Sequence, residues 1–241
     1  MLRNMSDVKN YAIGATDGDI GQVDDFYFDD RTWVIRYLVI DTGSWLAGRK
    51  VLISPIAIHA PNWEQGILPV SITKEQVRQS PEIETERPVS RQNEMRYFDY
   101  YGYPIYWGGS GLWGECMYPN LMYPGKANTD FVKTEKARHC DDDRNLRSCN
   151  AVIGYHVHAT DGDIGHIQDL LVDEATWAIR YFVVNTSNWW LGHNVLIAPG
   201  SIKDMSWSGQ SASVDLTRES IKESPPYHST EQLNRELESC L

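Results

Sequence analysis

A mainly β chain, made of two tandem small β-barrels that each end in a short helix, is what the sequence predicts. Three observations point there. The seven residues "ATDGDIG" occur at Ala15–Gly21 and again at Ala159–Gly165. Around them the chain matches itself at a shift of 144 positions, without a gap, at about 30 of roughly 71 positions. Within each copy, short β-branched and aromatic runs alternate with polar turns every eight to twelve residues or so, the rhythm of a small barrel or sandwich.

The first copy reads in order as follows. "VKNYAIGATD" is a moderately apolar segment that stops at Asp17-Gly18-Asp19, where Asp-Gly favours a tight reversal because glycine reaches positive φ cheaply. "IGQVDDFYF" resumes as a strand, and Asp29–Thr32 is a polar turn. "WVIRYLVID" is apolar almost throughout, as expected of a strand covered on both faces. "TGSWLAG" is a loop, "RKVLISP" a strand closed by Pro55, "IAI" a short element and "GILPVSI" the last strand. Thr73, with Gln76 three residues on and Pro81 beyond, brackets a short helix. The second copy repeats the series in "HIQDLLV", "WAIRYFVVN", "HNVLIAP", "SASVDL" and "TRESIKESP". Closing each sheet into a barrel would remove its exposed edges. The expected domains are therefore residues 1–81 and 151–225, with 82–150 between them and a tail, 226–241, of helical character.

The connecting stretch is of two kinds. "PVSRQNEMRYFDYYG" predicts a helix with Ser90 as N-cap, Glu94 in its first turn and an end near Gly102. Next, "YPIYWGGSGLWGECMYPNLMYPG" is too rich in glycine and proline for regular structure and too aromatic for a solvated linker. Its rings either pack over a barrel or form a partner-binding surface. "DFVKTEKARHCDDDRNLRSCN" reads as a charged, mobile connector.

Charge and motifs bound the chemistry. The 241 residues carry a net charge of −11, which disfavours direct nucleic-acid contact and docking on anionic lipid. No apolar run reaches the ~18 residues of a membrane span, and "MLRNMSDVKN" has no signal-peptide core, so a cytoplasmic location is expected. The four cysteines show no C-x-x-C spacing. No Ser-His-Asp order, H-E-x-x-H or P-loop is present, so no catalytic residue, cofactor or metal is assigned, and a non-enzyme is expected. Three residue groups offer a metal reading beside a simpler one: Asp17 with Asp19 as a calcium loop rather than a turn, His156 with His158 on one strand face, and His139-Cys140 beside Asp141–Asp143. Candidate interface residues are Arg36 and Arg180, which match across the copies in otherwise apolar strands with Asp25/Asp169 and Asp29/Asp173 as candidate counter-ions, and the loop tryptophans Trp45, Trp189 and Trp190. Tyr103, Trp107 and Trp113 join them from the aromatic segment.

Taken together, "ATDGDIGQVDDFYFDDRTWVIRYLVIDTGSWLAGRKVLISPIAI" and its partner "ATDGDIGHIQDLLVDEATWAIRYFVVNTSNWWLGHNVLIAPGSI" resemble the PRC-barrel family. The family is named for the cytoplasmic domain of the photosynthetic reaction centre H subunit, and a related barrel ends a ribosome maturation factor. The H subunit's membrane helix and the maturation factor's separate N-terminal domain have no counterpart in the sequence. The resemblance implies a non-catalytic protein-binding or regulatory adaptor, linked to a membrane electron-transfer complex, with peripheral membrane association left open. The alternative it implies is a ribosome assembly factor that binds a basic ribosomal protein. The partner is expected to be another protein, and the duplication predicts two barrels packed about a pseudo-twofold axis, or a homodimer.

Overall fold

The structure, a computed structural model, describes residues 1–81, 89–107, 109–123, 146–186, 193–230 and 233. The described residues form two sheets, in two compact units. One unit comprises residues 8–148 and 175–177, and holds the first repeat. The other comprises residues 1–7, 149–174 and 178–241, and holds the second.

In chain order the elements are β1 (Leu2–Asn4), α1 (Met5–Val8), β2 (Ala12–Ala15), β3 (Gly18–Asp29), β4 (Val34–Asp41), β5 (Lys50–Ile53), β6 (Ile67–Pro69), α2 (Lys74–Gln79) and α3 (Arg91–Tyr101). They continue with β7 (Leu146–Ser148), α4 (Cys149–Val152), β8 (His156–Ala159), β9 (Gly162–Asp173), β10 (Ile179–Asn185), β11 (Asn194–Ile197), β12 (Ile202–Ser206), β13 (Ser211–Val214) and α5 (Arg218–Glu223). The first sheet runs β5-β4-β3-β2-β6 and the second β11-β10-β9-β8-β13-β12, so the repeats share one strand order. The β2–β6 and β8–β13 pairs are parallel and the rest antiparallel.

The "DGDIG" stretch is the β2–β3 turn and its continuation, as its sequence predicts. Its second glycine is required by close approach: a Cβ on Gly21 would lie 2.0 Å from the Asp41 carbonyl oxygen, and one on Gly165 1.8 Å from that of Asn185. The first aspartate is a cap. Asp17 accepts the Lys74 N–H at 2.8 Å and Asp161 the Arg218 N–H at 2.9 Å, fastening each turn to the start of α2 or α5. Thr73 and Thr217 complete capping boxes on the same helices.

The sheets are not closed. Among the described residues no pairing joins β5 to β6, or β11 to β12. After β5 the chain passes through a 3-10 turn with buried Pro55, Ile56 and Ala57 before Ile58 bridges to Val70, and after β11 through a like turn, Pro199–Ser201, into β12. The core gathers Ile13, Ile20, Phe26, Phe28, Leu38 and Ile53 in the first repeat and Ile164, Leu170, Phe182 and Val184 in the second.

A further departure concerns β1 and β7. The charged stretch ending in "RNLRSCN" is not connector to its end, because Leu146–Ser148 pairs antiparallel with Tyr27–Asp29 of β3. This fills the edge that β2 leaves open at the far half of the long strand. In the second sheet the same place, Leu171–Asp173 of β9, is filled by Leu2–Asn4. Each three-residue strand precedes one repeat in sequence and completes the sheet of the other. Among the described residues no helix is long and apolar enough to cross a membrane.

Candidate functional site

Helix α3 lies on the first-repeat unit because its sequence places Glu94, Met95, Tyr97 and Phe98 on one buried face and Arg96, Asp99 and Tyr100 outside. Ser90 caps its start by accepting the Asn93 N–H, and Gly102, at φ 68°, ends it. Tyr97 meets Tyr37 of β4 edge-on, with ring centroids 5.1 Å apart, and its hydroxyl accepts the Ser54 N–H at 3.0 Å.

The chain beyond Gly102 winds back across Arg36. The guanidinium lies 3.8 Å from the Tyr106 ring centroid and 4.8 Å from that of Trp113. It donates to the Leu112 carbonyl at 2.6 Å and to the Thr32 hydroxyl at 3.0 Å, and Asp29 stands 3.9 Å away. Burial pulls the Arg36 pKa down, opposed by Tyr106 and Asp29. Trp113 is fully buried, and its indole N–H donates to the Thr176 carbonyl at 2.8 Å. Beside it Glu94 accepts from Tyr106 at 2.6 Å, Tyr37 at 3.2 Å and Arg91 at 2.8 Å. Burial raises the Glu94 pKa, and Arg91 and Tyr106 oppose the shift. These bonds pin the aromatic segment to the sheet, although the buried Arg36 Nε has no hydrogen-bond partner among the described residues.

The segment then surfaces. A 3-10 turn at Pro119–Leu121 rests on the Pro55–Ala57 turn, held by buried Pro119 and Met122. Between these anchors Met117, Tyr118, Leu121 and Tyr123 point outward, 43 to 72 % exposed. Four large apolar side chains within seven residues, on a fixed turn, are the most apolar exposed stretch described.

The residues selected from sequence divide accordingly. Arg36, Tyr103 and Trp113 are buried and offer no surface to a partner. Sequence marked the segment as aromatic but not which of its rings face in. Trp107 is half-buried, 4.2 Å from the Arg91 guanidinium. Trp45 is half-buried on the turn Gly43–Leu46, where its indole N–H donates to the Ile20 carbonyl and Lys74 lies 4.6 Å from the ring. Its role is to brace the "DGDIG" turn. Arg180 is exposed, so the two matched arginines have different surroundings. Of the candidate counter-ions, Asp29 faces Arg36, while Asp25 accepts from Ser148 and Asp169 from Ser6. His158 pairs with Asp163 at 2.6 Å, and His156 is exposed on the same strand. Trp189, Trp190 and the His139–Asp143 cluster lie outside the described residues.

Two features were not foreseen. Met117, Tyr118, Leu121 and Tyr123 could have been separated from their buried neighbours only by knowing that Pro119 and Met122 are anchors. A half-open cavity of about 520 Å³ in the second-repeat unit, lined by Asn4, Ser6, Asp169, Asn194 and Tyr227 among others, has no sequence signature. The pKa of Asp169, in its lining, is raised by burial against the hydrogen bonds from Ser6 and Leu170.

With this geometry, residues 4–77 match the family model of the PRC-barrel domain. Over those residues the chain is similar to a PRC-barrel domain. The match spans β2 to β6 and most of α2, the sheet on which the aromatic segment lies. A search of curated proteins returned no match.

Proposed function

We propose that this PRC-barrel protein is a non-catalytic, protein-binding adaptor whose contact surface is the turn 117–123. The supporting observation is that turn: Met117, Tyr118, Leu121 and Tyr123 exposed together, on a backbone fixed by buried Pro119 and Met122. Anchored apolar side chains are already ordered before a partner arrives, which lowers the entropic cost of binding. On this reading the second repeat is a further PRC-type domain in tandem, supported by its shared strand order, turn and capped helix. The resemblance to the reaction centre H subunit supports a membrane-associated electron-transfer complex as the partner. A basic ribosomal protein is the second reading, favoured by the net charge of −11.

The test compares the wild-type chain with Leu121→Asp and Tyr123→Ser as bait in quantitative partner capture. Proteins retained by wild type and lost from both variants, with thermal stability unchanged, support the adaptor reading. Their identity, redox or ribosomal, separates the two partner classes. Capture that is identical for all three baits overturns the assignment of this surface.

A further inference from the structure

The two exchanged strands are held by one recognition pattern. In the first sheet Leu146 is fully buried, Arg147 pairs with Asp30 at 2.9 Å, and Ser148 donates to Asp25 at 2.5 Å. In the second, Leu2 is buried and Arg3 pairs with Glu174 at 3.0 Å, while the hydroxyl comes from beyond the strand: Ser6, in α1, donates to Asp169 at 2.5 Å, and Asn4 stands where the first sheet has Ser148. Asp30 and Glu174, and Asp25 and Asp169, are equivalent positions at the 144-residue shift. The slot along the long strand thus reads a buried leucine, an arginine against one carboxylate, and a hydroxyl against another. Both slots are loaded by a segment remote in sequence. Leu2–Asn4 meets Leu171–Asp173, and Leu146–Ser148 meets Tyr27–Asp29. Recognition therefore comes from strand addition and side chains and not from a short tether.

We propose that the slot on β9 is a strand-docking site for an extended Leu-Arg-polar segment, and that it accepts residues 1–7 from a second copy of the chain as it accepts its own. The contacts are the same in either case, since exchange of an identical element creates no new interface within the unit. What favours the resident strand is its effective concentration, about millimolar for a flexible tether. The buried neighbours of Leu2, namely Leu171 and Val183, and the partly buried Tyr181, Leu196 and Tyr227 form an apolar seat that an empty slot would leave open beside an unpaired strand edge.

The experiment uses the full chain and a peptide of residues 1–9, labelled at its C-terminus, followed by fluorescence anisotropy. In a Leu2→Asp/Arg3→Ala chain the resident strand is weakened, and the peptide is expected to bind at least about tenfold more tightly than to wild type, where half-displacement needs about 1 mM. Arg3→Glu in the peptide is expected to weaken binding about fivefold, and Glu174→Arg in the chain to restore it for that peptide. A folded double variant, by circular dichroism, that takes up no peptide at about 1 mM overturns the proposal. So does indifference to the charge exchange. Should the double variant not fold, the wild-type chain is titrated with peptide and followed by amide NMR. Shifts at the displaced resident Leu2–Asn4 amides are expected, with the Arg3→Glu peptide needing about fivefold more to reach the same shift, and equal shifts or none overturn it.

Discussion

Trp113→Ala is the sharpest probe of the aromatic segment, because the structure makes Trp113 part of the first-repeat core. The indole is fully buried, donates to the Thr176 carbonyl at 2.8 Å and covers the Arg36 guanidinium at 4.8 Å. Burying a tryptophan removes about 200 Å² from water, worth about 5 kcal/mol at ~25 cal/mol/Å². Truncation to alanine in a core typically costs about 3–5 kcal/mol, and the indole's hydrogen bond to Thr176 is lost with it. Trp113→Phe separates these effects: it keeps most of the ring and loses the N–H, for an expected cost of about 1–2 kcal/mol. Because the chain has two units, a single unfolding free energy is ill-defined. The assay is therefore native-state hydrogen exchange on β4 amides, read against β10 as an internal control. The expected result is faster exchange across β4 in the order wild type, Trp113→Phe, Trp113→Ala, with β10 unchanged. Equal β4 protection in all three proteins would refute the reasoning and return the segment to a loosely held cover.

Other consequences follow from single contacts. Gly21→Ala and Gly165→Ala place a Cβ about 2 Å from a backbone oxygen, and each is expected to cost more than about 2 kcal/mol in urea denaturation of its own unit. Asp17→Ala removes the acceptor of the Lys74 N–H, leaving the Thr73 cap of α2 in place, and is expected to cost about 0.5–1 kcal/mol by the same measure. The Asp169 carboxyl holds its proton more tightly in the folded than in the unfolded chain, because burial raises its pKa. Its contribution to stability is thus largest at low pH and is lost as pH rises through the usual carboxylate range to the folded value. Asp169→Asn should flatten the pH dependence of denaturation midpoints of the second-repeat unit between neutral pH and about pH 4, and an unchanged slope would contradict this.

Much of the architecture was legible because it rests on local chemistry. The turn at Asp17-Gly18, the Thr73 and Thr217 capping boxes, and the helix from Ser90 to Gly102 each carry their signal within a few residues. β1 and β7 were not legible. Three residues give no periodicity, and "LRN" and "LRS" become strands only against Leu171–Asp173 and Tyr27–Asp29. The clue lay in the repeat, since Leu2-Arg3 and Leu146-Arg147 keep the same 144-residue spacing ahead of the copies already aligned. Barrel closure failed as an expectation because alternation of apolar residues reports strands, not whether their outer edges meet. At the candidate site, sequence separated aromatic from polar but not inward from outward. Trp113 and Tyr103 lie within while Tyr118 and Tyr123 lie outside, a distinction set by buried Pro119 and Met122.

The exchange of strands between the repeats is best tested by cross-strand nuclear Overhauser effects in a deuterated sample of the intact chain. Contacts from Leu2–Asn4 to Leu171–Asp173, and from Leu146–Ser148 to Tyr27–Asp29, are predicted. Contacts from Leu2–Asn4 to Tyr27–Asp29 would mean that each repeat keeps its own leading strand, and would contradict the account.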